Sequence, residues 1–287
     1  MMKKIMALLL ALCVAAGFPG CAGGKAASSG AESGASADES WDKVKQAGRL
    51  VLGLDDAFPP MGYKDTQTGE IVGFDIDLAK EACKRLDIEL KLQAVDWDNK
   101  QAELDNGNVD CLWNGFSKTP EREKSFLLSI PYMKNEQIIL VKTDSSYHSL
   151  KDLAGKSVGV QSDSSAESAL NDAANKEFKA SLKEVVKIDD YSKAVLEIQN
   201  GTIDAISIDE VIARFYLTKE PNAYRILENS DGSPISLATE DYVVGFRKND
   251  KALKQQIDKT LQEMAADGTM KKISEKWFGD DVTTVKS

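Results

Sequence analysis

Histidine is nearly missing from this chain, cysteine is scarce, and basic charge falls short of acidic charge. The 287 residues hold one histidine, His148, in a polar stretch. A His-based catalytic triad or a zinc site needs more than that, so the sequence offers no metal site. Cysteine occurs four times, as Cys13, Cys21, Cys83 and Cys111, with no Cys-x-x-Cys spacing. Cys83 and Cys111 fall in apolar patterns and read as buried thiols; a disulfide between them stays open in an oxidising compartment. The 36 Lys and Arg against 46 Asp and Glu leave a formal charge of −10. That is a soluble surface and lacks the basic footprint a nucleic-acid partner requires. Past the N-terminus, no apolar run is long enough to span a bilayer.

The N-terminus itself is distinctive. Residues 1–20 carry no acid; Lys3 and Lys4 precede an apolar run from Ile5 to Gly17, followed by Phe18-Pro19-Gly20-Cys21. A charged start, a short apolar stretch and a small residue before a cleavage point describe a signal peptide. The segment resembles a bacterial lipoprotein signal, with Phe18 where that pattern usually has Leu, and Cys21 is then the lipidated residue. Residues 21–40 are nearly all Gly, Ala and Ser, a composition that builds no core and reads as a flexible tether. The expected location is the outer face of the cell membrane, or the periplasm where an outer membrane exists, with membrane contact through the lipid alone.

From Leu50 onward, apolar runs and amphipathic stretches alternate. Strands are expected at Leu50–Leu54, Leu90–Val95, Val109–Leu112, Ile138–Val141, Val158–Val160, Val185–Ile188, Ala205–Ile208 and Tyr242–Phe246. Helices are expected at Ile76–Leu86, Asn99–Leu104, Ser165–Phe178, Tyr191–Ile198, Glu210–Leu217, Asp250–Ala266 and Thr269–Trp277. Such alternation predicts an α/β fold with mainly parallel sheets. An internal echo adds to this. Leu104-Asp105-Asn106-Gly107-Asn108-Val109-Asp110 resembles Ile198-Gln199-Asn200-Gly201-Thr202-Ile203-Asp204. In both, Asn-Gly stops a helix and an apolar residue with Asp opens a strand. One such unit in each half predicts two similar lobes with a cleft between them, a favoured place for a small molecule.

Several motifs then carry a resemblance. They are Gly73-Phe74-Asp75-Ile76-Asp77-Leu78-Ala79, Asn114-Gly115-Phe116-Ser117-Lys118-Thr119-Pro120-Glu121-Arg122, Leu153 to Val160, Asp204 to Glu210, and Asp267-Gly268-Thr269 through Gly279. In their order and spacing the chain resembles the bacterial extracellular solute-binding proteins (family 3) of polar amino-acid ABC transporters, over roughly Trp41 to Gly279. The resemblance implies a two-lobed periplasmic-binding-protein-like fold of type II, with two α/β lobes joined by two crossing strands near Gln137 and Thr239. Lobe 1 then comprises residues 41–136 and 239–287, and lobe 2 residues 137–238. It also implies a monomer without cofactor or catalysis that passes a free L-amino acid to permease subunits of an importer.

A free amino acid is a zwitterion, and burying it requires a partner for each charge. A guanidinium fork matches a carboxylate in a way Lys cannot copy. By pattern alone Arg122 reads as a surface residue at a helix start; the resemblance assigns it the ligand carboxylate, with Ser117 beside it. Ser164 and Ser165 precede a helical pattern and offer either a simple N-cap or free backbone N–H groups to the same carboxylate. Asp163 stands where the family usually has Gly and is expected to point away or to meet a cation. Asp209 reads as an N-cap by pattern and as the ammonium partner by resemblance, aided by Asn114 and Gly115. Phe58 and Trp97 are implied as walls of the side-chain pocket, with Asp55 and Asp75 near its tip. Aromatic walls with carboxylates fit a polar or basic side chain better than an acidic one. Two other functions occur on family-like chains: dehydration of small carboxylates and ligand sensing for a separate receptor. The first needs a positioned general acid, and no residue stands out for it beyond those of the amino-acid site.

Overall fold

Eight strands, all parts of one continuous sheet, organise the molecule in the computed structural model, which describes residues 38–286. In chain order they are β1 (Arg49–Leu54), β2 (Glu89–Ala94), β3 (Cys111–Ser117), β4 (Met133–Lys142), β5 (Ser157–Gln161), β6 (Glu184–Ile188), β7 (Ala205–Asp209) and β8 (Ser236–Phe246). Their spatial order is β6-β5-β7-β4-β8-β3-β1-β2. At one end β1 pairs in parallel with β2 and β3; at the other β5 pairs in parallel with β6 and β7. These are the sheets of two α/β lobes. The helix Phe74–Arg85 packs on the first, and the helices Tyr191–Asn200 and Glu210–Lys219 on the second.

Antiparallel β4 and β8 join the two halves. Along their shared length Glu240 faces Asn135, Thr239 faces Glu136 and Ala238 faces Gln137. The later part of β4 continues into lobe 2 beside β7, while the later part of β8 runs beside β3 in lobe 1. The middle of this pair therefore lies between the lobes. Its buried residues are polar: Asn135, Gln137 and Glu240.

Most elements match the sequence expectation in place and type. Where they differ, a local cause is visible. The run expected to be a strand at Ile138–Val141 is the apolar part of a longer strand beginning at Met133. Its first half alternates buried and exposed positions, with buried Asn135 and Gln137 indistinguishable by hydropathy from solvent-facing residues. Strand β3 starts at Cys111 rather than Val109 and runs through Asn114-Gly115, a pair that reads as a break. Gly115 sits there at φ 55, a conformation glycine adopts without a Cβ clash. The helix expected over Ser165–Phe178 is interrupted at Asp172. That residue is extended and its carboxylate accepts a bond from Ala174 N, starting a new turn. The helix opening at Phe74 begins two residues earlier than expected. Gly73 makes this possible: at φ 151, a Cβ would lie 2.1 Å from Met61 O.

Asp38, Glu39 and Ser40, expected as the end of a tether, belong to the folded unit. Ser40 opens the first helix, Ser40–Ala47, and its Oγ accepts a bond of 3.0 Å from Leu253 N. Residues 1–37, with the expected signal peptide, Cys21 and most of the tether, lie outside the described residues. Cys83 and Cys111 are buried free thiols, and burial pushes Cys83 up to about 12. Among the described residues no helix is long and apolar enough to cross a membrane.

Candidate functional site

Strand ends and the β4–β8 crossing bring the chemically active side chains together. On the lobe 1 side, β1 ends at Leu54 and delivers Asp55, while β3 delivers Asn114, Gly115 and Ser117. The side chain of Asn114 is committed to scaffolding. It accepts from Asp55 N at 3.1 Å and donates to Gly62 O at 3.4 Å, pinning the loop after β1. Gly115 N donates to Asp75 Oδ2 at 2.6 Å, and Tyr132 Oη donates to the same oxygen at 3.0 Å. Asp75 is fully buried behind the site and faces this knot rather than a ligand tip. Burial pushes its carboxyl up to about 7 despite those two bonds. A Cβ on Gly115 would stand 2.6 Å from Phe58 Cε1, so glycine lets the Phe58 ring approach the strand. Phe58 meets Tyr191 of lobe 2 at 5.8 Å between ring centres.

Arg122 is not a surface residue. Thr119 Oγ1 caps its short helix by accepting from Arg122 N, and Arg122 turns inward, the residue only 8% exposed. It lies 4.3 Å from the Phe116 ring centre, donates to Ser117 O at 2.9 Å and reaches Asp163 O of lobe 2 at 3.5 Å. Trp97 packs edge-on against the same Phe116, 6.0 Å between centres. Across the cleft, Ser117 Oγ and Ser165 Oγ are 3.0 Å apart. Ser164 is occupied as the N-cap of its helix: its Oγ accepts from Glu167 N and donates to Gln161 O.

Asp209 ends β7 and precedes a helix, yet makes no side-chain cap bond. Its Oδ1 instead accepts from Asn135 Nδ2 at 2.7 Å, Gln137 Nε2 at 2.8 Å and Tyr242 Oη at 2.8 Å. Gln137 Nε2 also lies 2.9 Å from Glu240 Oε2 and 3.0 Å from Ser165 Oγ. Two amide hydrogens thus serve three acceptors, and one acceptor remains short of a donor. Burial, then the Glu240 carboxylate, push Asp209 up to about 7. Burial draws Arg122 below the usual guanidinium range, against the pull of Glu240, Asp163 and Asp209. One guanidinium therefore faces two buried carboxylates. Beside this cluster opens a cavity of about 480 Å³, lined by Thr119, Glu121, Ser168, Asn171, Thr239 and Glu240 among others.

At the far end, Asp55 Oδ2 accepts from Gln161 Nε2 at 2.6 Å and Oδ1 from Ala57 N at 2.9 Å. Burial, helped by Asp190 and Asp56, pushes Asp55 up to about 6. Among the described residues three buried amide oxygens find no donor: Asn135 Oδ1, Gln137 Oε1 and Gln161 Oε1. Such orphans are costly unless a ligand or water supplies N–H or O–H groups.

Residues 50–280 match the bacterial extracellular solute-binding proteins, family 3. The chain belongs to that family. It is 30% identical over 250 residues to the L-cystine-binding protein TcyJ of Escherichia coli, covering 86% of this chain and 89% of that one. It is 31% identical over 278 residues to the arginine-binding extracellular protein ArtP of Bacillus subtilis, covering 96% and 98%. A solved ABC uptake transporter substrate binding protein from Streptococcus pneumoniae, with bound histidine, superposes with a TM-score of 0.80 at 37% identity, covering 87% of this chain and 99% of that one.

In this solute-binding protein the expected site residues divide into two groups. Arg122, Ser117, Ser165 and, through Gln137, Asp209 form one bonded cluster across the lobes; Phe58 and Trp97 approach it through Tyr191 and Phe116, and Asp55 lies at the far end with Gln161. Asp75, Asn114, Gly115 and Ser164 hold that cluster's frame. Sequence reasoning missed Lys100, Asn135, Gln137, Gln161, Tyr191, Glu240 and Tyr242. A signal existed for some of them. Asn135 and Gln137, and likewise Glu240 and Tyr242, stand two apart on one strand face, where polar residues beside an apolar run mark a buried polar seam.

Proposed function

We propose that this solute-binding protein captures a free L-amino acid between its lobes and delivers it to the permease of an ABC importer, without chemical change. One observation carries the reading: a buried guanidinium from lobe 1 and a buried carboxylate from lobe 2, Arg122 and Asp209, flank a polar seam with unfilled acceptors. A zwitterion supplies what each lacks. Its carboxylate pairs with Arg122 and the Ser117 and Ser165 hydroxyls, and its ammonium answers the surplus of Asp209 over Arg122 created by Glu240. Asp55 with Gln161, near Phe58 and Trp97, then reads the side chain, which favours a polar or basic group over an acidic one. The amino acids named for relatives, cystine and arginine, and the histidine in the pneumococcal structure support this class.

Isothermal titration against the twenty amino acids and cystine tests the reading. Submillimolar binding of a polar or basic member is expected. Tight glutamate or aspartate binding without response from that set overturns the side-chain assignment; no binding at all overturns the function. The proposal extends to a lipid anchor on Cys21 and an extracellular location. Cys21→Ser should move the protein out of the detergent phase, and unchanged partitioning removes the anchor.

A further inference from the structure

Lys100 is a charged residue almost fully buried, at 2% exposure, on a helix of lobe 1. The amino-acid site does not account for it. Its ammonium has three hydrogens and three acceptors. One is Trp97 O, at 2.9 Å within its own lobe. The other two belong to a single lobe 2 residue: Asp163 O at 2.9 Å, and the Asp163 carboxylate in a salt bridge. Asp163 O also receives the bond from Arg122. Asp163 holds an unusual backbone, at φ 53, in the left-handed region that costs any residue with a Cβ. Glu167 steadies that turn by accepting from Asp163 N. The Lys100 ammonium lies 5.2 Å from the Trp97 ring centre, so the pair closes against an expected wall of the side-chain pocket. Burial, then the Arg122 guanidinium, lower Lys100 to about 8, and the Asp163 carboxylate opposes that shift.

We infer that Lys100 and Asp163 form an inter-lobe clasp that holds the cleft shut over bound amino acid and sets its rate of release. The inference rests on the proposed binding function. Both bonds from Lys100 to Asp163 cross the cleft, so separating the lobes breaks them together and leaves the ammonium with one protein acceptor until water reaches it. That penalty falls on the opening step. Encounter of ligand with the open cleft does not involve the clasp, so its removal should act on dissociation far more than on association. The Asp163 side chain is 64% exposed, so salt screens its charge and the clasp weakens as ionic strength rises.

Stopped-flow binding of the amino acid identified by titration tests this with four proteins: wild type, Asp163→Asn, Asp163→Gly and Lys100→Met. Asparagine tolerates the left-handed turn and removes only the charge. Glycine removes the charge and relieves the turn. The expected result is release about tenfold faster in each variant, with association within about threefold. The double variant Lys100→Met with Asp163→Asn should release no faster than the worse single one. Asp163→Gly should keep or raise the ligand-free melting temperature while shortening the bound lifetime. A merely structural role moves both in the same direction. Wild-type release should quicken with salt and Asp163→Asn release should not. Unchanged release in all variants, or faster release that tracks lower melting temperature, overturns the clasp while leaving amino-acid binding intact. A wild type that binds none of the panel removes the binding function and the clasp with it.

Discussion

Asp75 and Asp209 are both almost fully buried, at 0% and 1% exposure, and burial pushes both carboxyls up to about 7. Their surroundings differ. Asp75 takes its bonds from Gly115 N and Tyr132 Oη, neither of which belongs to lobe 2. Asp209 takes its bonds from the crossing strands and feels Arg122 of lobe 1 and Glu240 between the lobes. The same burial thus serves two ends. A carboxylate bonded only within one body ties that body together; a carboxylate whose partners come from two bodies responds to whatever enters between them.

The largest expected effect lies on the second kind of site. Arg122→Ala should weaken amino-acid binding by about 30-fold or more, roughly 2–5 kcal/mol, because it leaves the buried carboxylate of the amino acid without its cationic partner. Titration calorimetry checks this, and an unchanged affinity would break the contrast at once. Next, Asp75→Ala should cost about 2–4 kcal/mol of folding stability by stripping two buried donors of their acceptor. Denaturant melts measure it, and affinity of the folded protein should stay within about threefold. An affinity loss as large as that of Arg122→Ala would mean that Asp75 belongs to the ligand. Asp209→Asn should lower affinity by about tenfold, since the amide keeps an acceptor but loses the charge. Its melting temperature in the absence of ligand should not fall.

The last expected effect is in pH. Both carboxyls are raised from 3.8 to about 7 in the folded chain. Between about pH 4 and pH 7 the folded form keeps protons that the unfolded form has released, so each group lowers stability as pH climbs through that window. Asp75→Asn and Asp209→Asn should each flatten the fall, measured as ligand-free stability at pH 5 and pH 7.5. Saturating amino acid should flatten only the share due to Asp209, because its ammonium favours the ionised form. A ligand that flattens the slope in Asp209→Asn would show the two carboxylates to be linked.

The same contrast explains what could be read from the sequence. Strands β1, β5 and β7 were legible because buried apolar residues fill them, and the two Asn-Gly stops because Gly107 and Gly201 adopt φ 76 and φ 75. The crossing halves of β4 and β8 show no strand pattern, because their buried residues are polar and imitate a surface, and only the family resemblance pointed to crossings near Gln137 and Thr239. Arg122 and Asp209 were legible through motif and charge chemistry. Lys100 was not, because its partner stands 63 residues away and helical pattern alone calls it a solvent-facing lysine. Asp163 was half legible: its position asked for glycine, and the left-handed turn at φ 53 is why.

The N-terminal edge of the folded unit carries a mechanical consequence. Asp38 accepts from Ala252 N and Ser40 Oγ from Leu253 N, so the start of the described chain is fastened to the helix Lys251–Ala266. At the other end, Thr284 N donates to Tyr132 O at the root of β4. Both ends of the described chain are thus clamped to one lobe, and the other hangs from two strands with no end of its own. A pull applied at Asp38 would therefore enter the molecule through the first lobe and reach the second only by way of β4 and β8.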